Sequence, residues 1–326
     1  TCSVGVAVAS LDEVRGEDLL RRSVRAVQEA RQTGRGRIVL LDEARYRRTE
    51  HTVETAAKLS KALALEELYL EYQPIVPARG GRVGAEALLR WRHGGGVVSP
   101  GEFVPIAEDA GLIDEIGTWA LARACADLAR WQSVHGAGAM YVSVNVSAHQ
   151  LRDPDYVARV ADVVVTSGVD PADLVLELTE SAMLDEPERA PRVLRELKAL
   201  GVRVALDDFG TGYSSLSQLL HLPVDVLKID KAFLADVTEN VRTRQFLGAM
   251  IDLAHDLHMQ VTVEGIEDER QLVAVVDAGC DHLQGFYFSR PKSVADLEDW
   301  MREHVGLHHA GPARGTVPEP RPDGSA

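Results

Sequence analysis

The stretch LYLEYQPIVPARGGRVGAEALLRW, residues 68–91, holds two apolar runs, Leu68 to Ile75 and Val83 to Trp91, separated only by the turn Pro77 to Gly81. A parallel crossover needs a dozen or more residues, so these two strands are expected to lie antiparallel. Downstream the pattern changes. Short apolar runs at Met140 to Val144, Leu174 to Leu178, Arg203 to Leu206, Val226 to Ile229, Gln260 to Val263 and Asp281 to Phe286 alternate with amphipathic stretches. The latter include Ile113 to Trp131, Pro187 to Leu200, Thr243 to Leu257 and Asp268 to Ala278. Repetition of strand then helix, with near-continuous apolar strands, predicts a parallel sheet covered by helices. Eight strands point to closure. Residues 68–306 match the usual size of a TIM-like (β/α)8 barrel, so an α/β fold with one antiparallel strand is expected.

Working outward, Cys2 to Val8, Glu17 to Arg31 and Arg37 to Leu41 read as strand, helix and strand, a piece with too little core to stand alone. It reads as the end of a preceding domain over residues 1–50. Residues 51–67 lack Gly and Pro and are expected to form a connector helix. Residues 307–326, rich in Pro, Gly and Arg from Gly311 onward, are expected to be a disordered tail. The chain has 326 residues, 35 basic and 50 acidic side chains, and a formal charge of −15. That surplus of acid argues against a nucleic-acid polymer as partner, which needs a clustered positive surface. No apolar run approaches the length of a bilayer span, so no membrane contact is expected. Cys2, Cys125 and Cys280 are scattered and unpaired in pattern, which with no signal peptide at Thr1 suits the cytoplasm. The missing initiator Met suggests a piece cut from a longer protein, whose upstream segments could carry a membrane anchor.

Acidic and amide side chains recur at strand ends: Glu86, Asn145, Glu177, Asp207, Asp208, Asp230 and Glu264. In a parallel barrel all carboxyl ends converge on one face, so these residues become neighbours by topology. A single strand-end acid is more commonly a helix cap; seven such groups on one face argue for a shared site. Two like charges about 4 Å apart repel by about 4 kcal/mol at an effective dielectric near 20. Something positive must sit among them, and hard oxygen donors favour Mg²⁺ or Mn²⁺ over zinc. Asp207 and Asp208 would face opposite ways on a regular strand and can share a site only where the strand breaks; Gly210 and Gly212 follow. Such a pair could bridge two metals, an arrangement suited to in-line attack on a phosphodiester. Lys228 and Asp230 share a face, as do Glu86, Leu88 and Arg90, and Arg90 could hold a phosphate or a guanine edge. Asn145-Val146-Ser147 matches a glycosylation acceptor by accident, and Gly-Thr-Gly at 210–212 is weak evidence for phosphate binding. His255, His258, His308 and His309 are read as non-metal, and His149 and Gln150 as a surface loop.

The segment Glu86 to Trp91 (EALLRW) resembles the signature of the EAL family of cyclic di-GMP phosphodiesterases. The likeness extends through Tyr72 to Val76, Pro100 to Ile113, Val144 to Ser147, Glu177 to Glu180, Asp207 to Leu216, Leu227 to Asp230, Val263 to Glu267 and Gln284 to Phe286. This resemblance implies a TIM-like barrel that hydrolyses one bond of cyclic di-GMP to give linear pGpG with Mg²⁺ or Mn²⁺ at a two-metal site, Ca²⁺ being inhibitory. It implies Glu86, Asn145, Glu177, Asp207 and Asp208 as metal ligands. It also implies that Lys228 holds the attacking water and that Glu264 orients a water on the metal or acts as base. Glu86 and Asp207 thereby count as catalytic. Gln73, Leu88, Arg90, Asp230 and Gln284 would position substrate. Glu180 would brace the loop from Asp208 and Phe209, which in the family couples dimerisation to activity, so a homodimer is implied. Ser3 to Ala7 and Gly34 to Arg37 resemble the closing portion of a GGDEF, diguanylate cyclase-like, domain. Val27 to Arg31 (VQEAR) departs from that family's Tyr-Arg-Ala-Lys, and the eponymous motif lies outside the chain, so no cyclase activity is expected. The alternatives are a receptor that holds the dinucleotide uncleaved and a protein-interaction barrel.

Overall fold

Side chains alternate across a strand, so in a closed sheet every second residue enters the interior. This rule organises the larger part of the chain. The computed structural model describes residues 2–8, 16–32, 36, 38–41, 43–210, 219–220 and 222–308. They fall into two units, one drawn from Thr1–Leu65 and Gly101–Ala110, the other from Glu66–Pro100 and Gly111–Ala326.

In the first unit, β1 (Val4–Ala7) pairs in parallel with β2 (Ile38–Leu41), and the helix Gly16–Gln32 connects them. Ala26, Ala30 and Val39 form its small core. Gly5 is required there, because a Cβ would come within 2.2 Å of the Val27 backbone nitrogen. The next helix spans Glu43–Leu59, not 51–67. Freedom from Gly and Pro does not carry it onward: Lys61 N and Ala62 N donate to Lys58 O and Leu59 O in tight turns, and Glu66 itself adopts φ +54°. Local turn geometry overrides helix propensity here. The short helix Pro100–Asp109 also belongs to this unit, and His51 Nε2 lies 2.9 Å from Glu102 Oε1.

The second unit is a closed eight-stranded barrel with one extra strand. Its strands are β3 (Leu68–Pro77), β4 (Val83–His93), β5 (Gly96–Val98), β6 (Met140–Asn145), β7 (Leu174–Thr179), β8 (Arg203–Phe209), β9 (Val226–Ile229), β10 (Gln260–Val263) and β11 (His282–Leu283). The order around the sheet is β3-β11-β10-β9-β8-β7-β6-β4, closed by β3 on β4, with β5 appended to β4. As expected from the short turn, β3 is antiparallel to its neighbours β4 and β11, while β4 and β6 through β11 run parallel. β11 covers two residues instead of the expected run from Asp281 to Phe286, because Gly285 and Phe286 turn away to line the barrel mouth.

Outside the barrel, the helix Ile113–His135 buries Ile116, Leu121, Leu128 and Trp131, and Tyr72 from β3 donates to Asp127 Oδ2 at 2.7 Å. His149 and Gln150 are not a surface loop. They lie in the helix Ala148–Arg152, where Gln150 is buried and its Oε1 accepts from Ser147 N, forming a capping box. The helix Val294–His308 continues two residues past the expected start of the tail at 307; the rest of that tail lies outside the described residues.

Inside the barrel, Ile75, Tyr141, Val175, Ala205 and Val226 pack together as an apolar layer. Gly84 makes room for it, since a Cβ there would meet the Tyr141 ring at 2.2 Å. Two residues along the strands from this layer, toward the carboxyl ends of the parallel strands, stand Gln73, Glu177, Asp207 and Lys228. The layer therefore forms the floor beneath a polar mouth.

Candidate active site

Lys228 occupies the centre of that mouth. It is 1% exposed, an extreme for a lysine, and can be ionised there only if its charge is matched. Its Nζ lies 2.6 Å from Glu264 Oε1, 2.7 Å from Glu177 Oε2, 3.4 Å from Asp207 Oδ1 and 3.6 Å from Glu86 Oε2. Four strands thus deliver four carboxylates to one ammonium. Burial works against the Lys228 charge, but Glu177, Glu264, Glu86 and Asp207 outweigh it and raise its pKa well above the ordinary value.

One cation does not satisfy four anions equally. Burial opposes ionisation of Glu86, yet Lys228 and the amides of Gln284 and Asn145 prevail and hold its pKa low. Asn145 Nδ2 donates to Glu86 Oε1 at 2.8 Å, and Gln284 Nε2 donates to Glu86 Oε2 at 2.6 Å. Glu177 shifts the other way, raised by burial and by the charges of Glu86, Asp207 and Glu264. Glu264 is pushed up to about 8, chiefly by burial, with Asp207 and Glu86 adding to it.

The adjacent aspartates meet the condition their spacing imposed. The pairing of β8 with β9 is irregular between Leu206 and Phe209, and Asp208 sits at φ +55°. That left-handed residue interrupts the alternation, in a conformation that Asp adopts more readily than most side chains. Asp208 N donates to Asp207 Oδ1 at 2.9 Å, and burial followed by Asp207 and Asp230 raises the Asp208 pKa. Glu180, buried at the start of the helix Glu180–Asp185, accepts from Gly210 N at 3.1 Å. Residues 211–218, including Gly212, lie outside the described residues.

A cavity of about 250 Å³ opens at this mouth, lined among others by Gln73, Glu86, Asp230, Glu264 and Gln284. Gln73 receives Gln284 Nε2 at 3.2 Å and donates to Ser289 O at 3.1 Å. Asp230 caps the turn Lys231–Leu234 by accepting from Ala232 N. Arg90 and Leu88 lie farther along β4, outside this cavity, and Arg90 Nε donates to Glu71 Oε2 at 2.7 Å. Lys231, Glu267 and Phe286 also line the cavity but were not singled out from the sequence. Each sits in a loop just past a strand, where the two-residue rule no longer applies. Two glycines let those loops approach: a Cβ on Gly285 would come within 2.1 Å of Ile266 O, and one on Gly265, at φ +71°, within 2.2 Å of Lys231 Cβ.

The donors fit divalent cations by chemistry and charge. Among the described residues no group of three or more His, Cys, Asp or Glu is arranged to coordinate a metal directly, since the carboxylates converge on Lys228 instead. Yet Glu86, Glu177, Asp207, Asp208 and Glu264 bring five carboxyl groups against one ammonium; with all of them ionised the surplus would be four negative charges, which two divalent cations would cancel. Buried Gln284 Oε1 and Ser143 Oγ have no hydrogen-bond partner among the described residues. All of these are hard oxygen donors of the kind Mg²⁺ and Mn²⁺ take.

Fold and site together define a TIM-like barrel with an acidic mouth built around a buried lysine. The chain belongs to the EAL domain family, whose pattern it matches over residues 56–291. It is 39% identical over 305 residues to an uncharacterised signalling protein of Caulobacter vibrioides, covering 91% of this chain and 36% of the relative. It is 36% identical over 308 residues to the cyclic di-GMP phosphodiesterase NbdA of Pseudomonas aeruginosa, covering 93% and 39%. The chain thus spans well under half the length of these relatives. Among solved structures, a PaMucR phosphodiesterase in complex with c-di-GMP aligns at TM-score 0.70 and 36% identity, covering 75% of this chain and 99% of that one.

Proposed function

We propose that this chain hydrolyses one phosphodiester bond of cyclic di-GMP to linear pGpG, with Mg²⁺ or Mn²⁺ as cofactor. The observation that carries this reading is the buried Lys228 ammonium held among Glu86, Glu177, Asp207 and Glu264 at a barrel mouth. Kinship with NbdA, a named cyclic di-GMP phosphodiesterase, supports the same substrate.

Glu86, Asn145, Glu177, Asp207 and Asp208 would hold two divalent cations, which would supply charge neutralisation at the phosphoryl oxygens and lower the pKa of water. Lys228 orients the attacking water, and Glu264, whose Oε1 lies 2.6 Å from the Lys228 ammonium, receives, when ionised, the proton that water loses. The water oxygen bonds to phosphorus, the bond from phosphorus to the ribose 3′ oxygen breaks, and that oxygen takes up a proton from solvent. Gln73, Leu88, Arg90, Asp230 and Gln284 position the dinucleotide. Glu180 steadies the segment beginning at Asp208 through Gly210 N.

We read the active form as a cytoplasmic homodimer and the first unit as the closing portion of a GGDEF-like domain without cyclase activity of its own. The test is turnover followed by anion-exchange chromatography with Mg²⁺, Mn²⁺, Ca²⁺ or a chelator. The expected result is pGpG with Mg²⁺ and Mn²⁺, none with chelator, and inhibition by Ca²⁺. Tight calorimetric binding of cyclic di-GMP without turnover would replace this reading with that of a receptor. Absence of binding would leave a protein-interaction barrel.

A further inference from the structure

The interior of the barrel has a second open end, and its chemistry is the reverse of the mouth. At the pole opposite Lys228 lies a cavity of about 430 Å³, within the range of about 300–1,000 Å³ typical of small-molecule pockets. Alternation along the strands builds it. Arg82, Tyr141, Arg203 and Gln260 stand four residues before Glu86, Asn145, Asp207 and Glu264, and His282 stands two before Gln284. The layer containing Ile75, Val175, Ala205 and Val226 separates the two ends.

In a chain of net charge −15, three guanidiniums, Arg79, Arg82 and Arg203, line this cavity with a single carboxylate, Asp281. Asp281 is already engaged, its Oδ2 accepting from Val261 N at 2.7 Å and lying 2.9 Å from His255 Nε2. Arg82 is held by Asp173 and by Met140 O. Arg203 Nε donates to Ala172 O at 3.0 Å, and its guanidinium lies 4.7 Å from the Tyr141 ring centre. These contacts leave Arg82 Nε, Arg203 Nη2 and His282 Nδ1 buried with no hydrogen-bond partner among the described residues. The Arg79 side chain makes no hydrogen bond or ion pair among the described residues. His282 is 9% exposed, and burial pushes its pKa down to about 4, so a neutral imidazole faces the guanidiniums.

We infer that this basic pole is a binding site for a phosphate-bearing small molecule, separate from the acidic mouth. Leaving buried donors unpaired is unfavourable, because they have lost water without gaining a partner. A phosphate group accepts several such donors at once, and the planar guanidinium matches it bidentately. The cavity is far larger than a phosphate ion, so it has room for the group the phosphate is attached to.

The test is calorimetric titration of the whole chain, with and without Mg²⁺ at constant ionic strength, using inorganic phosphate and guanosine monophosphate as probes. The His282 ring resonances are followed by NMR in parallel. The expected result is saturable binding that shifts the His282 signals, weakens about tenfold or more in Arg79→Gln and Arg203→Gln, and persists in Asp207→Asn. Arg79→Gln breaks no hydrogen bond or ion pair among the described residues and leaves turnover unchanged. Binding of both probes means that phosphate alone suffices; binding of the nucleotide alone means that the attached group is also recognised. Binding lost in Asp207→Asn but kept in both arginine variants, His282 signals unmoved at saturation, or no saturable binding of either probe would overturn the inference.

Discussion

Replacing Lys228 with Met tests the site most directly, because it removes the one cation around which four carboxylates converge and keeps the volume of the side chain. The ammonium lies 2.6–3.6 Å from Glu264, Glu177, Asp207 and Glu86. At an effective dielectric near 20 each contact is worth about 5–6 kcal/mol before desolvation is counted. Burying an ammonium costs several kcal/mol, so the net loss is that of a broken buried ion pair, about 3–5 kcal/mol. Urea unfolding in chelator should show this loss at an unchanged m-value. Saturating Mn²⁺ stabilises any form that binds it, by about 2.7 kcal/mol at a hundredfold excess over Kd. The variant carries one more uncompensated negative charge and should gain more than the parent, so the gap should narrow while turnover stays lost. A variant within about 1 kcal/mol of the parent in chelator, or a gap indifferent to Mn²⁺, would refute the reasoning.

Asp207→Ala and Glu86→Ala should each abolish release of pGpG with only modest loss of stability, since each deletes a ligand and also relieves repulsion; retention of most activity would refute the assignment. In chelator the chain should lose stability as pH rises from about 4.5 through 8. The folded Glu264 pKa of about 8 means that the native state holds a proton the unfolded state has released. The slope approaches about 1.4 kcal/mol per pH unit, and Glu264→Gln should flatten it; an unchanged slope in urea titrations at several pH values would count against this. Gly285→Ala should destabilise by about 1–3 kcal/mol and depress turnover, because its Cβ would collide with the Ile266 backbone. Equal stability by thermal unfolding would show that the loop yields.

Much of the barrel was legible because its strands are buried on both faces and read as apolar runs; Val226–Ile229 and Gln260–Val263 fall where the pattern sets them. β5 escaped notice, a three-residue strand after Gly94 and Gly95 with no run to reveal it. The end of the helix Glu43–Leu59 was displaced because the chain closes into tighter turns there, Lys61 N to Lys58 O and Ala62 N to Leu59 O, which composition does not announce. At the site, the strand-end acids were legible through topology, and the break at Asp208 through the impossibility of two adjacent inward side chains. Lys231, Glu267 and Phe286 were not, since loop residues obey no period. Gln150 was misread because its capping role depends on a reciprocal hydrogen bond with Ser147.

The reversed direction of β3 changes where the barrel can be gripped from outside. In an all-parallel barrel the first strand would begin at the pole remote from the mouth. Here Leu68 begins β3 at the mouth end, and the strand reaches Gln73 before it passes the apolar layer. Midway, Tyr72 N donates to Lys292 O and Tyr72 O accepts from Lys292 N, just ahead of the helix Val294–His308. The strand by which the polypeptide enters the barrel thus also receives the segment that leads into its last helix, beside Gln73. A pull on the segment just before Leu68 is therefore delivered to the strand that carries Gln73.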